Sequence, residues 1–190
     1  MTQPEQLNQD LQFVRHAVTE RDKERRRTPP GIFIIWGIYV LIGYTLLDFN
    51  RAAGGWFLMV GGIVGGIASS FIGRADSRRY GMVDRAEGVK HMLHWGSIFI
   101  AIASVIGLSV ARGLQGEVVG QFIVLVIGLV YFLGGVHFDR YFIWLGLFLM
   151  AGSIGVGFVP RYPWSALGLV LSAGLLIPAL LPRRPAASPE

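Results

Sequence analysis

Six long segments without a single Asp, Glu, Lys or Arg constrain this chain more than any other feature of its sequence. Each segment is roughly 20 residues long, which lets an α-helix cross a hydrocarbon core of about 30 Å. Backbone polar groups in lipid must be satisfied within the segment, so each one is predicted to be a transmembrane helix. The segments are residues 31–47, 52–73, 91–111, 118–137, 141–160 and 162–182.

The composition agrees with a polytopic membrane protein. Hydrophobic residues make up 53% of the 190 residues and charged residues 15%, and the mean hydropathy is +0.53. Soluble domains carry about 25% charged residues, so disorder, a fibrous repeat and a water-soluble enzyme are excluded. A membrane β-barrel would require alternating polar positions, which runs such as residues 32–35 lack. The predicted fold is therefore all-α, with six transmembrane helices.

The basic residues indicate how the spans are oriented. Of the 17 Lys and Arg residues, only Arg51, Arg112 and Arg161 fall on one side of the predicted topology, and the other 14 fall on the side of the two termini. By the positive-inside rule, both termini are expected in the cytoplasm, in a plasma (inner) membrane. The net charge of +5 then reports topology, and we expect no nucleic-acid partner.

An amphipathic helix is predicted before the first span, within residues 5–27. Its apolar stripe is Leu7, Leu11, Val14 and Val18, at spacings of four, three and four residues. Such a helix either lies on the membrane or the protein's own loops, or docks onto a protein partner through this stripe. The predicted organisation is a cytoplasmic N-terminal helix and basic run (1–28), a six-helix transmembrane domain (29–182) and a short cytoplasmic tail (183–190).

An internal repeat relates the first two spans to the fourth and fifth. A shift of 91 residues aligns residues 37–66 with 128–157 without a gap, and ten of the thirty pairs are identical, half of them glycine. Three spans separate the copies, so their orientations in the membrane are opposite. This pattern is consistent with an inverted repeat about an axis in the membrane plane.

Small residues cluster on the second span, where Gly61, Gly62, Gly65 and Gly66 form two overlapping small-xxx-small pairs. Small residues let helix backbones approach closely where lipid offers no hydrophobic drive for association. The cluster is interpreted as internal helix packing, and contact with a partner or a second copy of the chain remains the alternative.

Few residues could carry chemistry. The spans hold no midplane charge, and their end carboxylates (Asp48, Glu117 and Asp139) are expected to cap helices or form interfacial pairs. No cysteine is present, so neither a disulfide nor a thiolate metal site can form, and we expect no cofactor. His91, His94 and His137 are a weak zinc candidate, and interfacial histidines in a turn are the simpler interpretation.

The sequence favours a non-enzymatic integral membrane protein that acts through protein contacts, in a regulatory, assembly or accessory role, with membrane lipids around it. The alternative is a small transporter or channel for a neutral or lipid-like solute. That alternative depends on the repeat and on uncharged polar residues within spans: Tyr39, Tyr44, Thr45, Ser104 and Tyr131.

The orientation can be tested by labelling this cysteine-free chain. Cysteines placed at Arg51, Arg112 or Arg161 should react with a membrane-impermeant maleimide added to intact cells, because positive charge concentrates on the opposite, cytoplasmic side. A cysteine at Arg78 is the control, and it should react only after the membrane is permeabilised. Protection of the first three sites in intact cells would contradict the orientation.

Overall fold

All regular structure in the described part of the chain is helical. The computed structural model describes residues 11–13, 28–79, 85–114 and 116–181. Within these residues, six helices are long and apolar enough to cross a membrane, and the predicted all-α polytopic fold is confirmed. The helices are α1 Pro30–Phe49, α2 Arg51–Arg79, α3 Arg85–Arg112, α4 Glu117–His137, α5 Tyr141–Gly155 and α6 Pro163–Leu180.

Prolines begin two of these helices. α1 starts at Pro30 and α6 at Pro163, where the missing N–H would have had no intrahelical partner. At its far end, α5 tightens into a 3-10 turn, Val156–Phe158, before the chain reverses into α6. The two remaining short loops, near Asn50 and Gly116, join α1 to α2 and α3 to α4. All three turns lie at one end of the bundle, which we call the Arg51 end.

The helices contact one another in the order α2, α1, α6, α5, α4, α3. The most extensive contacts join α4 to α5 and α1 to α6, followed by those of α1 with α2 and of α3 with α4. Consecutive helices α2 and α3 share no extensive contact within the described residues. Both therefore lie at the edge of the bundle, each held mainly by one neighbour.

The buried core comes from the other four helices. Its buried members are Phe33 and Tyr44 of α1, Val124 of α4, Phe142, Leu145 and Leu149 of α5, Val156 of the 3-10 turn, and Trp164, Leu167, Leu171 and Leu175 of α6. α2 and α3 contribute the partly buried Leu58 and Trp95 at its margin. The helices at the centre thus pack on each other, while α2 and α3 expose most of their apolar surface.

The closest backbone approach in the core is between α4 and α5. A Cβ on Gly146 would collide with the backbone of Phe132 and Gly128, and a Cβ on Gly135 would collide with the backbone nitrogen of Ile143. Backbone atoms cannot move aside as a flexible side chain can. Glycine at these positions is therefore what allows the two helices to come together.

The contact pattern has the symmetry that an inverted repeat would produce. If helices α1, α2 and α3 are exchanged with α4, α5 and α6, the α1–α2 contact becomes α4–α5, and the α1–α6 contact becomes α4–α3. The matched glycines nevertheless differ, since Gly146 abuts backbone whereas its counterpart Gly55 meets nothing within 4 Å. Superposition of the two hairpins stays a prediction.

Gly55 and Gly146 provide a matched pair of substitutions. Gly146→Leu should destabilise the protein by about 1 to 3 kcal/mol or more, because the added side chain overpacks the α4–α5 contact. Gly55→Leu should leave the unfolding temperature close to that of the parent, because the space beside Gly55 is open. Thermal unfolding in one mild detergent measures both, and equal losses from the two variants would contradict this packing account.

Candidate functional site

Gly61 and Gly62 accommodate one aromatic side chain from α1. The positions of their missing Cβ atoms lie 2.9 and 3.1 Å from the ring and hydroxyl of Tyr39, whose hydroxyl donates a hydrogen bond to the Leu58 carbonyl at 2.5 Å. The phenol is thus satisfied within the α1–α2 contact. These glycines make room for a tyrosine, which differs from the close backbone approach that their spacing suggests.

Gly65 and Gly66 contact two different neighbours. Gly65 faces the indole of Trp36, at 3.6 Å from its Cβ position, and the Trp36 N–H donates to the Ser69 hydroxyl at 2.9 Å. Gly66 faces Phe99 of α3 at 3.7 Å. All four predicted packing glycines therefore face aromatic side chains of the same chain.

The three histidines lie near one another where α3 meets α4, and each ring has a separate contact. His94 Nε2 lies 3.1 Å from the Val130 carbonyl oxygen, and His137 Nδ1 lies 2.7 Å from that of Leu133. The His91 ring packs on Phe138, with centroids 3.9 Å apart. The described residues contain no group of three or more His, Cys, Asp or Glu side chains placed to hold a metal ion. The zinc candidate therefore has no support in this geometry.

Most of the predicted partner-contact stripe lies outside the described residues. Leu7, Val14 and Val18 belong to the undescribed part of the N-terminal segment, and Leu11 is helical with 54% of its surface exposed. The docking role of this stripe stays a prediction.

A polar cavity opens at the Arg51 end. Its volume is about 280 Å³, and it lies between the end of α1 and the starts of α2, α4 and α6. Its polar and aromatic lining comes from Asp48, Arg51, Glu117, Arg161, Tyr162 and Trp164. Four charged side chains from three separate parts of the sequence therefore meet in one place.

The two carboxylates in this cavity have different partners. Asp48 accepts hydrogen bonds from the backbone N–H groups of Ser165 at 2.7 Å and Trp164 at 3.3 Å, so it caps α6 from the end of α1. Glu117 pairs through Oε1 with Arg51 at 2.7 Å. The predicted capping role is confirmed for Asp48, and the predicted pairing is confirmed for Glu117.

A left-handed residue shapes the rim of the cavity. Tyr162 has φ 53° and ψ 49°, and it is the only non-glycine residue with positive φ in the described ranges. This conformation costs an L-residue about 1 to 2 kcal/mol. It places the Tyr162 ring on Phe49, with centroids 5.4 Å apart. The exposed Arg161 immediately before it has no hydrogen bond or ion pair with any described residue.

An apolar groove lies beside the cavity, between α4 and the 3-10 turn that ends α5. Its volume is about 410 Å³. Its lining includes Val118, Gln121, Phe122, Leu125, Ile154 and Phe158. Gly157 closes the groove next to Gln121, whose amide nitrogen lies 3.1 Å from the glycine's Cβ position.

α3 is the span with the smallest buried fraction. Only 6% of its apolar window is buried, against 11% for α2, 22% for α1, 28% for α4 and 33% for α5 and α6. Ala103, Gly107 and Ala111 recur every four residues on one side of α3, and all three are exposed. A Cβ on Gly107 would meet no atom of the described residues within 4 Å. We call these three residues the α3 small face.

Comparison with known proteins does not assign the chain to a family. No family model, no curated protein and no solved structure matches the chain. The function must therefore be inferred from the geometry of the chain's own residues.

Substitutions at Asp48 test whether this residue caps α6 at the Arg51 end. Asp48→Ala should lower the free energy of unfolding by about 0.5 to 2 kcal/mol, because two backbone N–H groups of α6 lose their acceptor. Asp48→Asn keeps one acceptor oxygen, which can serve the shorter bond from Ser165, but loses the second acceptor and the charge, so its stability should fall between those of the alanine variant and the parent. Unfolding in one detergent compares the two variants, and an alanine variant as stable as the parent would refute the cap.

Proposed function

We propose that this protein is a non-enzymatic integral membrane protein that acts through contacts with other membrane proteins, in a regulatory, assembly or accessory role. The observation that carries the proposal is the α3 small face. Elsewhere in the described residues, glycines such as Gly146 and Gly135 admit a neighbouring helix, whereas no described atom lies within 4 Å of the Cβ position of Gly107. The α3 small face would let a helix of another protein approach closely in the bilayer.

The weak attachment of α3 supports the same role. It packs mainly on α4, and its contact with α2 is slight. A helix held on one side retains a free side for a partner span, and a second copy of the chain would satisfy the same geometry. In this proposal the protein is a multi-pass protein of the plasma (inner) membrane with both termini in the cytoplasm, and the N-terminal stripe supplies a second contact there.

The groove between α4 and the 3-10 turn favours the second candidate, a small transporter or channel for a neutral or lipid-like solute. It combines apolar walls with one amide, that of Gln121. Two of the uncharged polar residues within spans already have hydrogen-bond acceptors in the protein, however. Tyr39 donates to the Leu58 carbonyl, and Ser104 donates to the Ile100 carbonyl. The contact role is therefore the leading proposal.

Substitution on the α3 small face tests the proposal. Gly107→Leu should reduce co-purification of a partner membrane protein at least tenfold, about 1.4 kcal/mol, because the side chain blocks close approach of a partner helix. Gly55→Leu is the matched control, since both glycines are exposed and neither has a neighbour within 4 Å. Quantitative mass spectrometry of proteins recovered in mild detergent measures the change.

Two outcomes would contradict the contact role of α3. One is an unchanged set of co-purifying proteins in the Gly107→Leu variant. The other is an equal loss in both variants, which would report a general effect of exposed leucine. Equal amounts of folded protein in the membrane must accompany either comparison.

A further inference from the structure

We propose that the Arg51 end binds one membrane phospholipid, with its headgroup in the polar cavity and part of an acyl chain in the groove between α4 and the 3-10 turn. The headgroup chemistry that fits is a phosphodiester carrying a primary ammonium. This site is separate from the α3 small face and goes beyond the proposed contact role.

The position of the cavity across the membrane matches that of a lipid headgroup. It lies where α1 ends at Phe49 and where α4 and α6 begin at Glu117 and Pro163. Helices of about 20 residues span a hydrocarbon core of about 30 Å, so their ends lie in the headgroup layer. Trp56 of α2, 65% exposed, lies about 7.5 Å along the helix from Arg51, as a tryptophan in the interfacial region would.

The charges of the cavity match a zwitterion. Arg51 and Arg161 are balanced by Asp48 and Glu117, so the lining is neutral as a whole. Arg161 is the positive charge without a partner among the described residues, and a guanidinium binds phosphate with paired hydrogen bonds. Only Oε1 of Glu117 is engaged by Arg51, which leaves its second oxygen to accept a hydrogen bond from an ammonium group.

The size and the strained rim of the cavity agree with this ligand. About 280 Å³ falls just below the roughly 300 to 1,000 Å³ of sites that enclose a whole drug-sized molecule, which suits a headgroup. The left-handed Tyr162 holds its ring on Phe49 and sets the turn that carries Arg161 at the mouth. Strain of this kind concentrates at ligand sites.

The groove begins near the level of the cavity and runs toward the hydrocarbon core. Glu117 lines the cavity and the next residue, Val118, lines the groove, so both border the first turn of α4, although the cavity and the groove share no lining residue. From there the groove follows α4 to Leu125, about 10 Å at 1.5 Å per residue. Its wall includes Ile154 and Phe158, which are 65% and 83% exposed, so the groove is open to lipid from the side. A headgroup above and an acyl chain below is the order that a bilayer imposes.

Native mass spectrometry of the full chain, titrated in detergent with dioleoylphosphatidylethanolamine, tests the site. The parent should retain one lipid. Arg161→Gln should weaken its retention at least tenfold, whereas the matched control Arg112→Gln should not, since Arg112 is an exposed arginine at the same end that lines neither cavity nor groove. Ile154→Trp should also weaken retention by filling the groove. Its control is Leu169→Trp, at a 62% exposed position of α6 outside the groove.

Any one of three outcomes would overturn the proposal. Equal losses from Arg161→Gln and Arg112→Gln would mean that the lipid senses only net charge. Retention of phosphatidylglycerol as strong as that of phosphatidylethanolamine would remove the ammonium contact. Competition by free phosphoethanolamine at equal concentration, together with no effect of Ile154→Trp, would assign the site to a water-soluble phosphate compound in place of a lipid.

Discussion

The direct backbone contact between α4 and α5 is the interaction on which the rest of this structure depends. Lipid chains are as apolar as leucine side chains, so helices in a bilayer gain little from hiding apolar surface and depend on close packing. Gly128, Gly135 and Gly146 allow that packing here, and the buried side chains of α1 and α6 complete a four-helix core around it. The positions of α2 and α3 follow from this core, because each is attached to one helix at its edge.

This division between core and edge organises the functional proposals. The edge helix α3 exposes Ala103, Gly107 and Ala111, which supports a role in contact with another span. The Arg51 end gathers charges from loops that only a folded core brings together, which supports a lipid site. The two proposals concern different surfaces, so either can fail without the other.

The helices themselves could be predicted from the sequence, because each charge-free segment has the length of a span and nothing else satisfies its backbone in lipid. The roles of Asp48 and Glu117 as a cap and an ion-pair partner followed from their places at span ends.

The neighbours of each helix could not be predicted from the sequence in this way. Gly61 and Gly146 look alike in sequence, yet one accommodates Tyr39 and the other abuts a backbone. The polar cavity was also missed, since Asp48, Arg51, Glu117 and Arg161 meet only through the packing of α1, α4 and α6. One feature of the cavity did have a local signal in the sequence, namely the unusual backbone of Tyr162 at its rim. Tyr162 precedes Pro163, and a proline disfavours a right-handed helical conformation in the residue before it.

Amide hydrogen–deuterium exchange of the purified protein in detergent micelles tests the central claim, that α4 and α5 form the core and α3 is an edge helix. Exchange reports the free energy of local opening along the chain. The account predicts that amides near Gly128, Gly135 and Gly146 exchange most slowly of all the spans, and that amides of Gly88–Arg112 exchange fastest. Protection of α3 equal to that of α5 would contradict the account.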